Sequence, residues 1–205
     1  MSIYGPIVTG DDVQQRVTDH IRTWIDAYLA EVASQHGRPR SLTDDRLPTF
    51  ASYTKSAYGV DKWPEDQVPA CIVVVSGLTG RMEPHGDGTV SAEWSVGAGA
   101  ICSAMDIDST TEVTQLYTAA LRVLMLQQSS IGGFASATRW IDERYDPLSF
   151  DKSRTMAAGI VNLGVMVSSV LNSRLGPKDP PVNPLTDPGE LGEVATADVV
   201  IERLA

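Results

Sequence analysis

The first periodic segment of the chain predicts one long helix. After an arm over residues 1–10, apolar side chains recur every three or four residues along residues 11–36, the spacing that places them on one face of an α-helix. The members of this apolar stripe are Val13, Val17, Ile21, Trp24, Tyr28 and Val32. Asp11 and Asp12 suit the positive end of the helix, and Gly37 followed by Pro39 ends it.

The next periodic segments predict a β-hairpin. Residues 70–75 are apolar on both faces, which favours a central strand. A long turn over residues 76–88 follows and contains Asp87-Gly88. From residue 90 to residue 100 apolar and polar side chains alternate, so we expect a second strand with one buried face.

A second helix and two more strands are predicted after the hairpin. The helix begins near Ser109, with Ser109 or Thr110 as its cap. Its apolar stripe consists of Val113, Leu116, Tyr117, Ala120, Leu121, Leu124 and Met125. Gly132-Gly133 ends the helix, a third strand runs over residues 134–145 until Asp146-Pro147 breaks it, and a fourth covers residues 156–170.

These elements predict an α+β fold with the order α-β-β-α-β-β. We expect an antiparallel four-stranded sheet with two long helices packed on one face, contained in a domain of residues 1–175. Residues 176–205 are expected to form an extended Pro-rich C-terminal tail, because the prolines prevent a regular element. The last residues of the tail are apolar enough to add a strand to the sheet of a neighbouring copy.

Residues 37–68 are predicted to be an irregular connection, and long irregular connections in compact domains are often functional. Its aromatic side chains either fix the connection to the core or contribute to a subunit contact. Trp63 stands next to the first strand, which favours the core. For Phe50, Tyr53 and Tyr58 both alternatives remain open.

Composition indicates a globular chain that does not grip nucleic acid. The 205 residues are 42% hydrophobic and 20% charged, ordinary values for a globular domain. A net charge of −10 argues against binding to phosphates, although an acidic wall would let DNA slide past without sticking. We find no apolar run that could span a membrane and no signal peptide, so a cytoplasmic product is expected.

Candidate chemistry is sparse. Cys71 and Cys102 are predicted to be buried free thiols. A metal-like cluster consists of His85, Asp87, Asp106 and Asp108, but its spacing fits no ligand motif, and turn and helix-cap roles are favoured. His20 falls on the polar side of the first helix. We find no nucleophile elbow and no phosphate loop, so the sequence offers no pocket chemistry.

Residues 11–170 resemble the tail terminator, or tail completion, proteins of long-tailed actinobacterial phages. The resemblance is carried by the long first helix and by the W-P-x-x-x-x-P-A-x-I-V-V-V segment from Trp63 to Val75. It is also carried by the D-x-x-x-x-V-x-x-L-Y-x-x-A-L-R-x-L-x-L segment from Asp108 to Leu126.

The resemblance implies a structural protein of the virion, assembled in the host cytoplasm, that needs no cofactor. Such proteins form a hexameric ring that caps the tail tube and joins it to the head-side connector, with DNA passing through the lumen. The implied partners are further copies of the chain, the major tail tube protein and the head-completion, or stopper, protein of the connector. Alternatives are that the chain is itself a stopper protein of the neck, or a small metal-binding enzyme or binding module.

The interface candidates come from loops that are expected to be exposed, and not from the resemblance. The connection of residues 37–68 and the hairpin tip of residues 77–89 are the segments expected to reach the tube or the connector. The candidate side chains are Phe50, Tyr53, Tyr58, Arg81, His85 and Asp87. No catalytic, cofactor-binding or metal-binding residue is assigned.

Overall fold

A computed structural model describes residues 7–36, 47–55, 65–104, 106–151 and 154–172. Its elements are α1 (Gly10–His36), β1 (Ser52–Thr54), a short 3-10 helix (Glu65–Gln67), β2 (Ala70–Pro84), β3 (Thr89–Ala104), α2 (Ile107–Gln127), β4 (Ala137–Asp151) and β5 (Arg154–Asn172). Tyr58, Trp63 and the predicted tail of residues 176–205 lie outside the described residues. The division into a domain and a tail therefore stays a prediction.

The fold is α+β, as predicted, but the sheet has a fifth strand. The strand order is β1-β2-β3-β5-β4, and the pairs β2–β3, β3–β5 and β5–β4 are antiparallel. The extra strand, β1, pairs parallel to the beginning of β2, with Ser52 opposite Ala70. The sheet is therefore mixed, and the predicted four antiparallel strands are its larger part. A strand of three residues is too short to show a period in the sequence.

The predicted long turn of the hairpin is wrong. β2 continues to Pro84, and the turn is confined to residues 85–88. Two register shifts, between Val75 and Gly77 and between Thr79 and Glu83, interrupt the pairing of β2 with β3. Gly77 and Gly80 have φ angles of 136° and 78°, which glycine adopts at little cost. These irregularities hide the strand period, so the segment looked like a turn.

The third predicted strand also continues further than expected. β4 runs through Asp146-Pro147 to Asp151, and Pro147 lies opposite Ala157 of β5. β4 is the last strand in the sheet order, and an edge strand accepts proline because one of its sides needs no N–H donor. The beginning was wrong as well: residues 128–134 form turns, and β4 starts at Ala137.

Both helices are confirmed, but the buried stripe of α1 differs from the prediction. Ile25 and Leu29 are buried, continuing the four-residue steps of Val13, Val17 and Ile21, whereas Trp24 is 46% exposed. His20 was predicted on the polar side and is buried instead. Its burial lowers the pKa of the imidazole.

The start of α2 also differs from the prediction. The cap is Asp106 rather than Ser109 or Thr110, and its carboxylate accepts a 2.7 Å hydrogen bond from the Ser109 N–H. None of the described helices is long and apolar enough to cross a membrane.

The main core lies between the two helices and one face of the sheet. It contains the buried apolar stripes of α1 and α2 and the side chains that face them from β2, β3 and β5, among them Cys71, Val96 and Leu163. Gly159 of β5 permits a close approach to α2, because a Cβ atom there would lie 2.1 Å from the Thr118 hydroxyl oxygen. A smaller apolar cluster lies on the other face of the sheet: Ala70, Ile72, Ile101, Met156 and Ala158.

Candidate interaction surfaces

The hairpin turn is held by its own polar side chains. The carboxylate of Asp87 accepts hydrogen bonds from the backbone N–H and the hydroxyl of Thr89, at 2.9 and 2.7 Å. These bonds lower the pKa of Asp87. The Nε2 atom of His85 lies 2.6 Å from the Ser91 hydroxyl oxygen. The turn role predicted for Asp87 is therefore confirmed, and both candidate side chains are exposed.

The metal-like cluster of the sequence is divided between the two ends of β3. His85 and Asp87 precede this strand, and Asp106 and Asp108 follow it. At about 3.3 Å per residue, its 16 residues separate the two pairs by about 50 Å, so they cannot hold one ion. Asp106 has the capping role that the sequence favoured. Within the described ranges no group of three or more His, Cys, Asp and Glu side chains is placed to bind a metal ion.

Two of the aromatic interface candidates belong to the core side of the molecule. Phe50 is 5% exposed, and its ring centroid lies 5.1 Å from that of Tyr117 and 5.9 Å from that of Tyr53. Tyr53 is half-buried, and the guanidinium of Arg22 lies 4.6 Å from its ring centroid. Burial raises the pKa of Tyr53 to about 12. For Phe50 the structure contradicts an intermolecular contact, since its ring is already covered.

The two remaining candidates gain little from the structure. Tyr58 lies outside the described residues, and Arg81 lies in β2 with a side chain that is also outside them. Of the six candidates, only His85 and Asp87 therefore stand at an exposed position that the structure describes. Both already bond to neighbours within the turn.

The exposed apolar side chains on α2 and β4 were not predicted. Five of the nine large apolar side chains that are exposed among the described residues lie on α2 and β4. We call them the α2–β4 surface: Ile107 (59% exposed), Leu126 (40%), Trp140 (47%), Ile141 (36%) and Tyr145 (43%). A cleft of about 350 Å³ next to Ile107 and Tyr145 extends this surface to Pro147 and Met156.

Polar groups in the middle of the α2–β4 surface connect its helix to its strand. Arg122 of α2 donates a 2.8 Å hydrogen bond to Glu143 of β4, whose side chain is only 11% exposed. The Tyr145 hydroxyl donates to the other oxygen of Glu143. Burial, followed by this carboxylate, raises the pKa of Tyr145, so the phenol stays neutral. Tyr145 is therefore connected through Glu143 to Arg122 of α2.

A second apolar site lies on β2, towards the opposite edge of the sheet. Leu78 is 44% exposed and Met82 is 43% exposed. We call these two residues the hairpin surface. Leu78 lies opposite Trp94 in the β2–β3 pairing, and the Trp94 ring packs against Gly10 at the beginning of α1. Because paired residues share a face, Leu78 lies on the side of the sheet that bears the helices.

The described cations lie close to carboxylates or aromatic rings of the same chain. Every lysine and arginine whose side chain the structure describes lies against a carboxylate or an aromatic ring. These side chains are Arg16, Arg22, Lys55, Arg122, Arg139 and Arg144. With a net charge of −10 over the whole chain, an excess of acidic groups remains for the surface. That balance disfavours a phosphate-binding surface on the described part.

The interface residues missed from the sequence left a faint signal. In T-R-W-I-D-E-R-Y, Trp140 and Ile141 are adjacent, and an adjacent apolar pair in a polar strand breaks the alternation. The register shift between Trp140 and Asp142 explains the break, since the extra residue belongs to a bulge. The two cysteines, by contrast, are free and buried as predicted.

Comparison with known proteins provides no family for this chain. The sequence matches no protein-family model, and a search of curated proteins found no match.

Proposed function

We propose that this chain is a structural protein of a phage virion, a tail terminator. Copies of it form a ring that caps the tail tube and joins it to the head-side connector. The observation that carries the proposal is the α2–β4 surface. Five of the nine large apolar side chains exposed on the described part of the chain lie on one helix and one strand, and such exposed apolar surface marks a protein contact, because its exposure to water is unfavourable.

The sequence resemblance supports the tail terminator as the identity of this assembly. The segment from Asp108 to Leu126, which carries part of the resemblance, corresponds to α2 almost from end to end. The other quoted segment ends in the first residues of β2. An α-helical layer on one face of a largely antiparallel sheet is also the architecture that the resemblance implies.

The excess of acidic over basic residues supports passage of DNA through the ring. DNA crosses such a ring without stopping only if the wall does not hold its phosphates. A net charge of −10, with five of the six described cations already in ion pairs, meets that requirement. The protein then needs no chemistry of its own, and its partners are further copies, the major tail tube protein and the stopper of the connector.

Electron microscopy of the full-length protein mixed with purified tail tubes of the same virion tests the proposal. We expect rings at one end of each tube and none along its length. The matched reaction replaces the tubes with purified connector complexes. Attachment to connectors and not to tubes would identify a stopper protein, and attachment to neither would contradict both neck functions.

A further inference from the structure

We propose that the α2–β4 surface receives the hairpin surface of a second copy of this chain, in a head-to-tail contact. The inference rests on the proposed function, because it names the surfaces by which the ring would close. Each copy carries both surfaces, so one contact leaves a free surface of each kind at the two ends. A repeated contact of this kind closes into a ring when its rotation permits.

Strand direction makes the two edges of the sheet compatible. The antiparallel part of the sheet has the order β2-β3-β5-β4, so its outermost strands, β2 and β4, run in opposite directions. A second copy placed beside the first in the same orientation therefore brings its β2 antiparallel to β4. β1 covers only the beginning of β2, from Ala70 to Ile72. The part of β2 that bears Leu78 and Met82 lies beyond β1.

The apolar side chains of both edges also lie on matching sides. Trp140 is opposite Leu163, which belongs to the core beneath the helices, and Leu78 is opposite Trp94, which packs against the beginning of α1. Both Trp140 and Leu78 therefore lie on the helix-bearing side of the sheet. When two copies stand side by side with their sheets aligned, Leu78 of one approaches Trp140 of the other.

The α2–β4 surface supplies part of the apolar area that a subunit contact needs. A tryptophan or tyrosine side chain buries roughly 150–250 Å² when it is fully covered. Trp140 and Tyr145, each nearly half exposed, together with three exposed aliphatic side chains, therefore offer a few hundred Å² of apolar area. A stable contact needs about 800 Å² per partner, so the flanking polar groups, Arg144 among them, must also be covered.

Bulges indicate that side chains make this contact. The register of β2 shifts twice, and that of β4 shifts between Trp140 and Asp142 and again between Pro147 and Ser149. Irregular edges resist a continuous backbone ladder with another chain. A contact between these edges then depends on apolar anchors, with Trp140 in the receiving surface and Leu78 in the hairpin.

The experiment uses two full-length variants that each lose one surface. Trp140→Glu alters the receiving surface, and Leu78→Glu alters the hairpin surface. We expect the wild-type protein to self-associate in sedimentation velocity, and each variant alone to be monomeric. Mixed in equal amounts, the variants regain one intact contact, because the hairpin of the Trp140→Glu chain meets the receiving surface of the Leu78→Glu chain. The expected product is a one-to-one dimer and no ring.

Trp24→Glu is the matched control, since Trp24 is 46% exposed, Trp140 is 47% exposed, and both carry the same change. It should associate like the wild type. A monomeric wild-type protein would overturn the inference. A Leu78→Glu chain that still associates would also overturn it, because the receiving surfaces of two copies would then pair with each other. Restored dimers in the mixture also show that both variants are folded.

The result separates this inference from the proposed function. If copies associate through these surfaces but never attach to tail tubes, the inference holds and the tail terminator fails. If rings cap the tubes and both variants cap them equally well, the function holds and these contact surfaces are wrong.

Discussion

Along β5, the two faces of the sheet carry different side chains. Val161, Leu163 and Val165 face the helices and are fully buried. Asn162 and Met166, which alternate with them, face the other way and are half-buried. The same strand therefore contributes an apolar row to the helix-bearing face and a mixed row to the opposite face.

Neighbouring strands repeat this difference. On the opposite face, Arg139 of β4 donates a 2.9 Å hydrogen bond to Glu93 of β3, and Asn162 of β5 donates to Asp142 of β4. A Cβ atom at Gly164 would lie 2.0 Å from a carboxylate oxygen of Glu93, so this side chain lies over the glycine. Polar pairs thus cover part of the opposite face, whereas helices cover the other. We infer that most of the folding free energy resides on the helix-bearing face.

The largest expected effect comes from truncating the helix-bearing face. Leu163→Ala removes a fully buried side chain and should lower the free energy of unfolding by about 2–5 kcal/mol, because both burial and packing are lost. Met166→Ala is the matched control, three residues along the same strand and on the opposite face. Chemical denaturation measures both variants, and equal losses would contradict the difference between the faces.

The same difference explains which part of the fold could be predicted. On α2 and on the part of β5 beneath it, apolar side chains recur at one constant spacing, because a single neighbouring layer covers the face that bears them. The stripe from Val113 to Met125 therefore predicted the buried side of α2. On α1 the predicted apolar stripe contains Trp24 instead of Ile25, because both positions continue a helical spacing and both residues are apolar. Only the neighbouring layer decides between them.

The edges of the sheet escaped prediction for a different reason. Bulges near Gly77 and Ile141 shift the alternation by one residue, so a strand there resembles a turn or a poor strand. The candidate site depended on these edges. The predicted interface segments included the outer part of β2, which bears Leu78 and Met82, but neither β4 nor α2, where five other exposed apolar side chains lie. A contact between copies is not encoded as a local period, so the single sequence suggested a kind of assembly, which stays a prediction, but not its surfaces.

An intermediate effect is expected from the two thiols on the helix-bearing side. Burial raises the pKa of Cys71 and of Cys102 to about 12, from an ordinary value of 9.0. Above pH 9 the unfolded chain releases these protons while the folded protein keeps them. The free energy of unfolding should therefore be unaffected by the thiols below pH 9 and should fall as the pH rises towards 12, by about 1.4 kcal/mol per pH unit for each thiol.

Denaturation at pH 8, 9 and 10 measures this slope. The control is the double variant Cys71→Ala and Cys102→Ala, which keeps the buried tyrosines and so isolates the thiol contribution. Its slope should be shallower than that of the wild type. Identical slopes would show that the thiols do not ionise differently in the folded and unfolded chains.

The smallest expected effect tests the opposite face through its ion pair. Arg139 and Glu93 have side chains that are 64% and 20% exposed, so Arg139→Ala should cost about 0.2–1 kcal/mol and less at high salt, where surface charges are screened. Arg122→Ala is the paired comparison, because it leaves Glu143 of the helix-bearing side, only 11% exposed, without its cation. A buried carboxylate that loses its partner is the costlier defect, so Arg122→Ala should destabilise the protein more and respond less to salt. Chemical denaturation in low and high salt measures both variants. If Arg139→Ala were the more destabilising change, the polar pairs of the opposite face would stabilise the sheet at least as much as the helix-bearing side does.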